Sequence, residues 1–171
     1  NISVKGFCGE NIEYSLAPTG KLEIVGYGKM NYVHFSYLGL KIKSISLDDR
    51  ITELSQGVFS QTDISDIDLP SSLIEISDSA FSSCSALKYI DIPSSVTKIG
   101  NYAFSGSEKL VAVKMPDSIT EIPDYCFSKC KSLSNVCLPK AVEKIGINAF
   151  ENCTSLKNID LPNSIKIISN N

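Results

Sequence analysis

Five prolines stand 23 residues apart along this chain of 171 residues. They are Pro70, Pro93, Pro116, Pro139 and Pro162. The residues between them repeat as well, in units over 65–87, 88–110, 111–133 and 134–156, with a half unit at 157–171. A fixed period of this length indicates one supersecondary unit copied in tandem, whose copies bury a continuous core between neighbours. The sequence therefore predicts a stacked solenoid that presents a long surface.

One earlier unit is visible over 41–64, and it aligns with the next unit through a single-residue deletion. At an offset of 22 residues, Ile45, Leu47, Ile51, Leu54 and Phe59 correspond to Ile67, Leu69, Leu73, Ile76 and Phe81. We therefore predict an array of about five and a half units over 41–171, preceded by a segment over 1–40 that does not repeat. The chain stops at Asn171, before the next expected Ala-Phe pair. From this we expect a piece of a longer array, whose uncapped carboxy-terminal end could self-associate.

Each unit opens with alternating apolar residues that end at the proline. The apolar pairs are Ile67/Leu69, Ile90/Ile92, Val113/Met115, Val136/Leu138 and Ile159/Leu161. Alternation with β-branched residues predicts a short strand with one buried face, and the proline ends it because it lacks an N–H donor. Such strands should stack in parallel, about 4.8 Å apart, into a curved sheet.

Two further columns complete each predicted coil. The second apolar cluster has residues three apart and suits a tight arc on the opposite wall: Leu73/Ile76, Val96/Ile99, Ile119/Ile122, Val142/Ile145 and Ile165/Ile168. An Ala-Phe pair, such as Ala80-Phe81 or Ala103-Phe104, then predicts a short helical turn packed on the sheet. The phenylalanines should form an aromatic ladder inside the solenoid.

This period resembles the leucine-rich repeat in its BspA-like form, the Treponema pallidum type. The family signature, roughly L-x-x-I-x-L-P-x-x-L-x-x-I-x-x-x-A-F-x-x-C-x-x-L, agrees with nearly all of residues 41–171. The resemblance implies a leucine-rich-repeat solenoid and a protein that is secreted or displayed on the cell surface. It also implies an adhesin role, with contacts to host matrix, host cell-surface or microbial proteins.

Residues 1–40 carry a hairpin pattern. Ile12, Tyr14 and Leu16 alternate before the turn-forming stretch 17–20, and Leu22 and Ile24 alternate after it. The stretches 8–11 (CGEN) and 20–30 (GKLEIVGYGKM) are similar to the amino-terminal cap of BspA-like repeats, with Tyr14 where bacterial members often carry tryptophan. A solenoid needs such a cap to cover its first coil. We expect Tyr32, Phe35, Tyr37 and Leu38 to complete it; a ligand pocket there is an alternative.

Six cysteines raise the question of disulfides or metal. Cys84, Cys130 and Cys153 share one column, where Ser107 takes the remaining place, so we expect buried free thiols. A bond between Cys130 and Cys153, in adjacent coils, stays open. Cys126 and Cys130 have a metal-like spacing, but the single histidine, His34, is distant in sequence, so we expect no metal.

Several classes of function are disfavoured. The net charge of −3 lacks the basic excess of a nucleic-acid binder, and no apolar run in this piece is long enough to span a membrane. No P-loop, GxSxG or HExxH motif occurs, and His34 has no placed nucleophile. We therefore expect no enzyme and no cofactor.

The outward positions of the strands are the predicted partner-binding site, on the concave face. The candidate residues are Asp66, Asp68, Tyr89, Asp91, Lys114, Asn135, Asn158 and Asp160. Tyr89 would be the aromatic anchor, since aromatic residues are enriched at binding hot spots. Two alternatives stay open: a merely solvated face, and calcium held by Asp66, Asp68 and Asp91. At the level of the whole protein, the alternative to an adhesin is a rigid spacer that holds another domain away from a surface.

Overall fold

The amino-terminal part of the chain is an antiparallel meander that continues directly into the stacked coils. The computed structural model describes residues 3–38 and 41–170. Strands β1 (Val4–Gly9), β2 (Ile12–Leu16) and β3 (Lys21–Lys29) pair antiparallel in that order. The turn between β2 and β3 is closed by a hydrogen bond from Gly20 N to Ala17 O (2.9 Å). A 3₁₀ turn, Phe35–Leu38, follows.

Strand β3 is the junction between the two arrangements. Both β4 (Ser44–Leu47) and β5 (Arg50–Leu54) pair with it in parallel, so the hairpin strand also serves as the first rung of the array. The predicted boundary at residue 40 lies outside the described residues, and the division into a cap and an array stays a prediction. What the structure shows is one sheet running through both parts.

The second apolar cluster of each unit forms a very short strand on one wall. β5, β6 (Glu75–Ile76) and β8 (Lys98–Ile99) stack in parallel, as do β10 (Glu121–Ile122), β12 (Lys144–Ile145) and β13 (Ile167–Ile168). In most coils the residue after this strand donates its N–H to the preceding coil, as Gly100 does to Ile76 O and Gly146 to Ile122 O (both 2.8 Å). Pro123 has no N–H to donate, and the stack is divided at that coil, between β8 and β10.

The proline-terminated strands form the opposite wall. β7 (Tyr89–Asp91), β9 (Ala112–Lys114) and β11 (Asn135–Val136) pair in parallel with the register of the repeat. The matching stretches 65–69 and 157–161, also predicted as strands, are not extended into ladders. Leu161, predicted to face inward, is half exposed, because it lies on the last described coil and no further described coil covers it.

The predicted helical turn at each Ala-Phe pair is wrong; the chain forms consecutive turns there. Residues with positive φ recur four apart, for example Ser79 (φ 57) with Ser83 (φ 57) and Tyr125 (φ 55) with Lys129 (φ 62). This alternation turns N–H groups sideways toward the next coil, and Phe104 N donates to Cys126 O (2.9 Å). A helix would instead direct these donors along its own axis, so stacking favours the turns.

The core is one continuous column of aromatic rings, as predicted. Centroid distances between successive rings are 6.0, 5.6, 5.5, 5.4 and 5.4 Å along Phe35, Phe59, Phe81, Phe104, Phe127 and Phe150. Phe35 carries the column back into the amino-terminal part, where its ring also meets Tyr14 edge-on at 5.1 Å. The predicted leucine-rich-repeat solenoid, with its phenylalanines stacked inside, is thereby confirmed.

Candidate functional site

All eight predicted partner-binding residues are exposed, but they do not all lie on ladder strands. Tyr89, Asp91, Lys114 and Asn135 lie on β7, β9 and β11, and Tyr89 exposes 50% of its surface. The others lie on the unladdered stretches at the two ends of this face: Asp66, Asp68, Asn158 and Asp160. The residues are therefore placed along one wall, and their role in binding stays a prediction. We call this wall the strand face.

Charge on the strand face is partly paired. Lys114 stands opposite Asp91 in the register, with its Nζ 2.7 Å from Asp91 Oδ2. The hydrogen bond that Lys114 donates to Asp91, and then the negative charge of Asp91, raise the pKa of Lys114. Both side chains are about half exposed or more, so the pair adds little to stability. The negative charge of Asp91 is thus compensated by the lysine of the following coil.

A groove lies along the strand face where the strands end. It has a volume of about 550 Å³. Its apolar lining includes Leu69, Ile92 and Met115, and prolines 93 and 116 form part of the same wall. Asp68, Asp91 and Lys114 line the groove as well. The exposed lining is more polar than apolar, and Ile92 is almost fully buried. A protein segment lying in the groove would therefore meet a small apolar floor between charged side chains.

The structure does not support the calcium alternative. Within residues 3–38 and 41–170, no group of three or more His, Cys, Asp or Glu side chains is arranged to hold a metal ion. Asp66, Asp68 and Asp91 are thus not gathered around one point.

The cysteine column has a structural role that the sequence did not indicate. All six cysteines are free, including Cys130 and Cys153. The buried thiols of the column donate to the phenylalanine carbonyl of the preceding coil: Cys84 to Phe59 O, Cys130 to Phe104 O and Cys153 to Phe127 O, at 3.1–3.2 Å.

Ser107, in the same column as the buried cysteines, indicates that this position requires a hydrogen-bond donor. Its Oγ donates to Phe81 O at 2.8 Å, which is the same bond made by a hydroxyl. Burial raises the pKa of Cys84 to about 12 and that of Cys153 to about 11, so these thiols are poor nucleophiles. The column holds neighbouring coils together.

The predicted aromatic cover of the first coil is only partly correct. Phe35 is fully buried and Leu38 packs against the core, whereas Tyr32 and Tyr37 are exposed. His34 lies between the two tyrosines, with ring centroids 5.0 Å from Tyr32 and 5.2 Å from Tyr37. These three rings form an exposed aromatic group at the surface.

A side-chain ladder at one corner was missed by the sequence analysis. Asp78 Oδ1 accepts from Asn101 N (2.8 Å), Asn101 Oδ1 from Asp124 N (3.1 Å) and Asp124 Oδ1 from Ile147 N (2.7 Å). The signal was available, because Asp78, Asn101 and Asp124 are spaced by the repeat. At Gly100 a Cβ atom would meet the backbone N and carboxylate of Asp78, so this glycine provides space rather than a left-handed backbone.

The family follows from the sequence itself. The BspA type leucine rich repeat region matches residues 30–133 and 52–171, in six copies. The chain belongs to this family, as its repeat pattern indicated. The leucine-rich repeat is a protein-interaction scaffold and its solenoid is typically non-catalytic. No curated protein matches the chain.

Solved bacterial leucine-rich-repeat proteins share the fold. A leucine-rich repeat protein from Bacteroides ovatus is 23% identical with a TM-score of 0.67. The match covers 98% of this chain and 54% of the Bacteroides protein. The Treponema pallidum leucine-rich repeat protein is 29% identical with a TM-score of 0.56, over 95% of this chain and 64% of that one. The pneumococcal vaccine antigen PcpA is 23% identical with a TM-score of 0.62, and the match covers 95% of this chain and 50% of PcpA. This chain thus spans roughly half to two thirds of these proteins.

Within the described residues, no helix has the length and apolar character that crossing a membrane requires.

Proposed function

We propose that this chain is the protein-binding part of a cell-surface or secreted adhesin, and that the strand face is its binding surface. The observation that carries the proposal is the groove in which Leu69, Ile92 and Met115 lie beside Asp68, Asp91 and Lys114. Tyr89 stands half exposed in the same coil as Asp91. The likeness to the fold of PcpA, a vaccine antigen, supports an extracellular setting.

The partner is a protein of the host surface or extracellular matrix, or of another microbe. A rigid face of stacked coils loses little conformational freedom on binding, which favours affinity. Tyrosine is among the residues enriched at binding hot spots, so Tyr89 is the anchor of this surface.

The test compares two matched double variants on immobilised matrix proteins and on a host-surface extract. Tyr89→Ala with Asp91→Ala alters the strand face. Tyr37→Ala with Glu121→Ala removes a similar exposed tyrosine and a similarly ion-paired acid elsewhere, since Glu121 Oε1 lies 2.6 Å from Lys144 Nζ. We expect the first pair to weaken binding about tenfold or more, as loss of hot-spot contacts does, and the second to leave it unchanged.

Equal binding by all three proteins would show that the strand face is not the site. Absence of any bound protein would favour the alternative function, a rigid spacer. The feature that favours a spacer is the uninterrupted ring column from Phe35 to Phe150, which stiffens the array irrespective of any ligand.

A further inference from the structure

A second groove lies at the corner between the β3–β5–β6–β8 stack and the consecutive turns. Its volume is about 450 Å³, within the size range of small-molecule sites. We call it the corner groove and define it by Asn31, Tyr32, Ser55, Gln56 and Asp78. It is separate from the groove on the strand face, because the two share no lining residue.

The charges of the corner groove are largely compensated by one another. Lys29 Nζ lies 2.5 Å from Glu53 Oε1, and Lys98 Nζ lies 2.6 Å from Glu75 Oε1. Asp78 is the remaining charged residue of the lining, and its Oδ1 accepts from Asn101 N. A strongly charged ligand would compete with these ion pairs for its counter-charges. A neutral polar ligand can use the same carboxylates and ammonium groups as acceptors and donors without separating them.

One side of the corner groove is aromatic. Tyr32 exposes 67% of its surface and is braced edge-on by His34, whose ring is inclined by 75° to its own. His34 is held in turn at Gly57, where a Cβ atom would come within 2.6 Å of His34 Cε1. Tyr32 therefore offers an accessible ring with a fixed brace behind it. Rings of this kind stack on the apolar faces of flat ligands.

The groove also contains one buried hydroxyl that has no hydrogen-bond partner among the described residues. This hydroxyl belongs to Ser55, which is 6% exposed. Buried hydroxyls are nearly always paired, so an unpaired one calls for an explanation such as a bound water or ligand. The side-chain amides of Asn31 and Gln56 lie on the same lining and are exposed.

We propose that the corner groove binds a neutral oligosaccharide. A sugar ring combines an apolar C–H face, which stacks on Tyr32, with hydroxyl groups that pair with Asn31, Gln56 and Asp78. Ser55 lies on the floor and is reached through a water molecule. A neighbouring groove shares Asp78 and Lys98 with this one and continues past Asn101, so an extended chain of sugars has room to follow the coils.

The test titrates the purified chain with cellotetraose and with tetra-N-acetylchitotetraose, two neutral oligosaccharides, followed by NMR chemical-shift changes and by calorimetry. We expect saturable binding of at least one of these probes, with shifts centred on Tyr32 and Gln56. Tyr32→Ala should weaken it about tenfold or more, whereas Tyr32→Phe, which keeps the ring, should retain it. Tyr37→Ala is the matched control, because Tyr37 is an exposed neighbour of His34 outside the groove lining.

Three results would overturn the proposal: no saturable binding of either probe, equal affinity of Tyr32→Ala and wild type, or shifts centred on Tyr89 instead. Melting temperatures of the variants identify any loss caused by unfolding, and Gln56→Ala then provides a second test at an exposed position. The outcome is independent of the proposed protein-binding function, because the Tyr89→Ala, Asp91→Ala variant should bind the sugars like wild type.

Discussion

The interior column and the strand face belong to the same coils, but residue identity repeats along the column and varies along the face. Inside, Phe59, Phe81, Phe104 and Phe127 are all fully buried, and each ring packs on a copy of itself. On the strand face, one register position reads Tyr89, Ala112 and Asn135. A column in which each residue is its own neighbour favours repetition, whereas an exposed position is free to differ. Stability is therefore encoded in the positions that repeat, and the proposed recognition would depend on the positions that vary.

The largest expected effect is the loss of one interior ring. Phe104→Ala should lower the free energy of unfolding by about 3–5 kcal/mol, because it leaves a cavity and removes two ring contacts. Tyr89→Ala, in the same unit but on the strand face, should change it by less than about 0.5 kcal/mol. Urea unfolding of the two variants measures both. Similar losses in the two would contradict the contrast between column and face.

The next largest effect concerns a glycine that the packing requires. Gly100→Ala would place a Cβ atom against the backbone N and carboxylate of Asp78 and 2.6 Å from the carbonyl carbon of Ser77. We expect a loss of about 1–3 kcal/mol, as for overpacked sites, measured by urea unfolding. Ser77→Ala is the control, because the equivalent position of the preceding coil already holds a side chain. If Gly100→Ala left the free energy of unfolding unchanged, the coils would be spaced more loosely at this corner than the structure shows.

The limits of the sequence analysis follow from the same contrast. The stacking, the inward strands and the ring column could be predicted, because each is a repeated apolar position and burial acts on it uniformly. The consecutive turns could not: Ser79, Tyr102 and Tyr125 have positive φ, a conformation usually associated with glycine. Side-chain bonds between coils, such as Cys130 to Phe104 O, depend on geometry that a residue type alone does not show.

The candidate site was predicted only as a set of exposed positions. The register of the repeat already places Asp91 beside Lys114. The groove beside this pair could not be predicted, because it depends on where the strands end and the prolines follow. The corner groove combines residues from 29 to 98, and no single unit contains its pattern.

A smaller effect is expected from the thiol column. Cys130→Val should cost about 0.5–1.5 kcal/mol, since Phe104 O loses one of its two donors and keeps that from Ser107 N (3.1 Å). Cys130→Ser should cost less, because a hydroxyl already makes this bond at Ser107. Thermal unfolding of both variants in reducing buffer provides the comparison. If valine were tolerated better than serine, the column would be selected for apolar packing and not for a donor.

The smallest effect comes from the Asp48 carboxylate, which links the hairpin to the coils, and it appears only at acidic pH. Asp48 accepts hydrogen bonds from Arg50 and from Gly26 N of β3, and these bonds, with the charge of Arg50, hold its pKa well below the usual range. Because the folded pKa is the lower one, this stabilisation is present above about pH 4 and lost as the pH falls below it. Asp48→Asn should therefore show a shallower loss of melting temperature between pH 5 and about 2. An identical acid profile would contradict the assignment.

Native-state hydrogen exchange at the Phe104 amide tests the stacked-coil account most directly. This N–H donates to Cys126 O at 2.9 Å, and its equivalents at Phe81 and Phe127 donate to Ala103 O and Ala149 O at 2.8 Å. If the coils form one continuous unit, all three amides should exchange only through global unfolding, with the same free energy as the urea transition. Exchange of the Phe104 amide as fast as an exposed turn would show that the coils do not stack in this way.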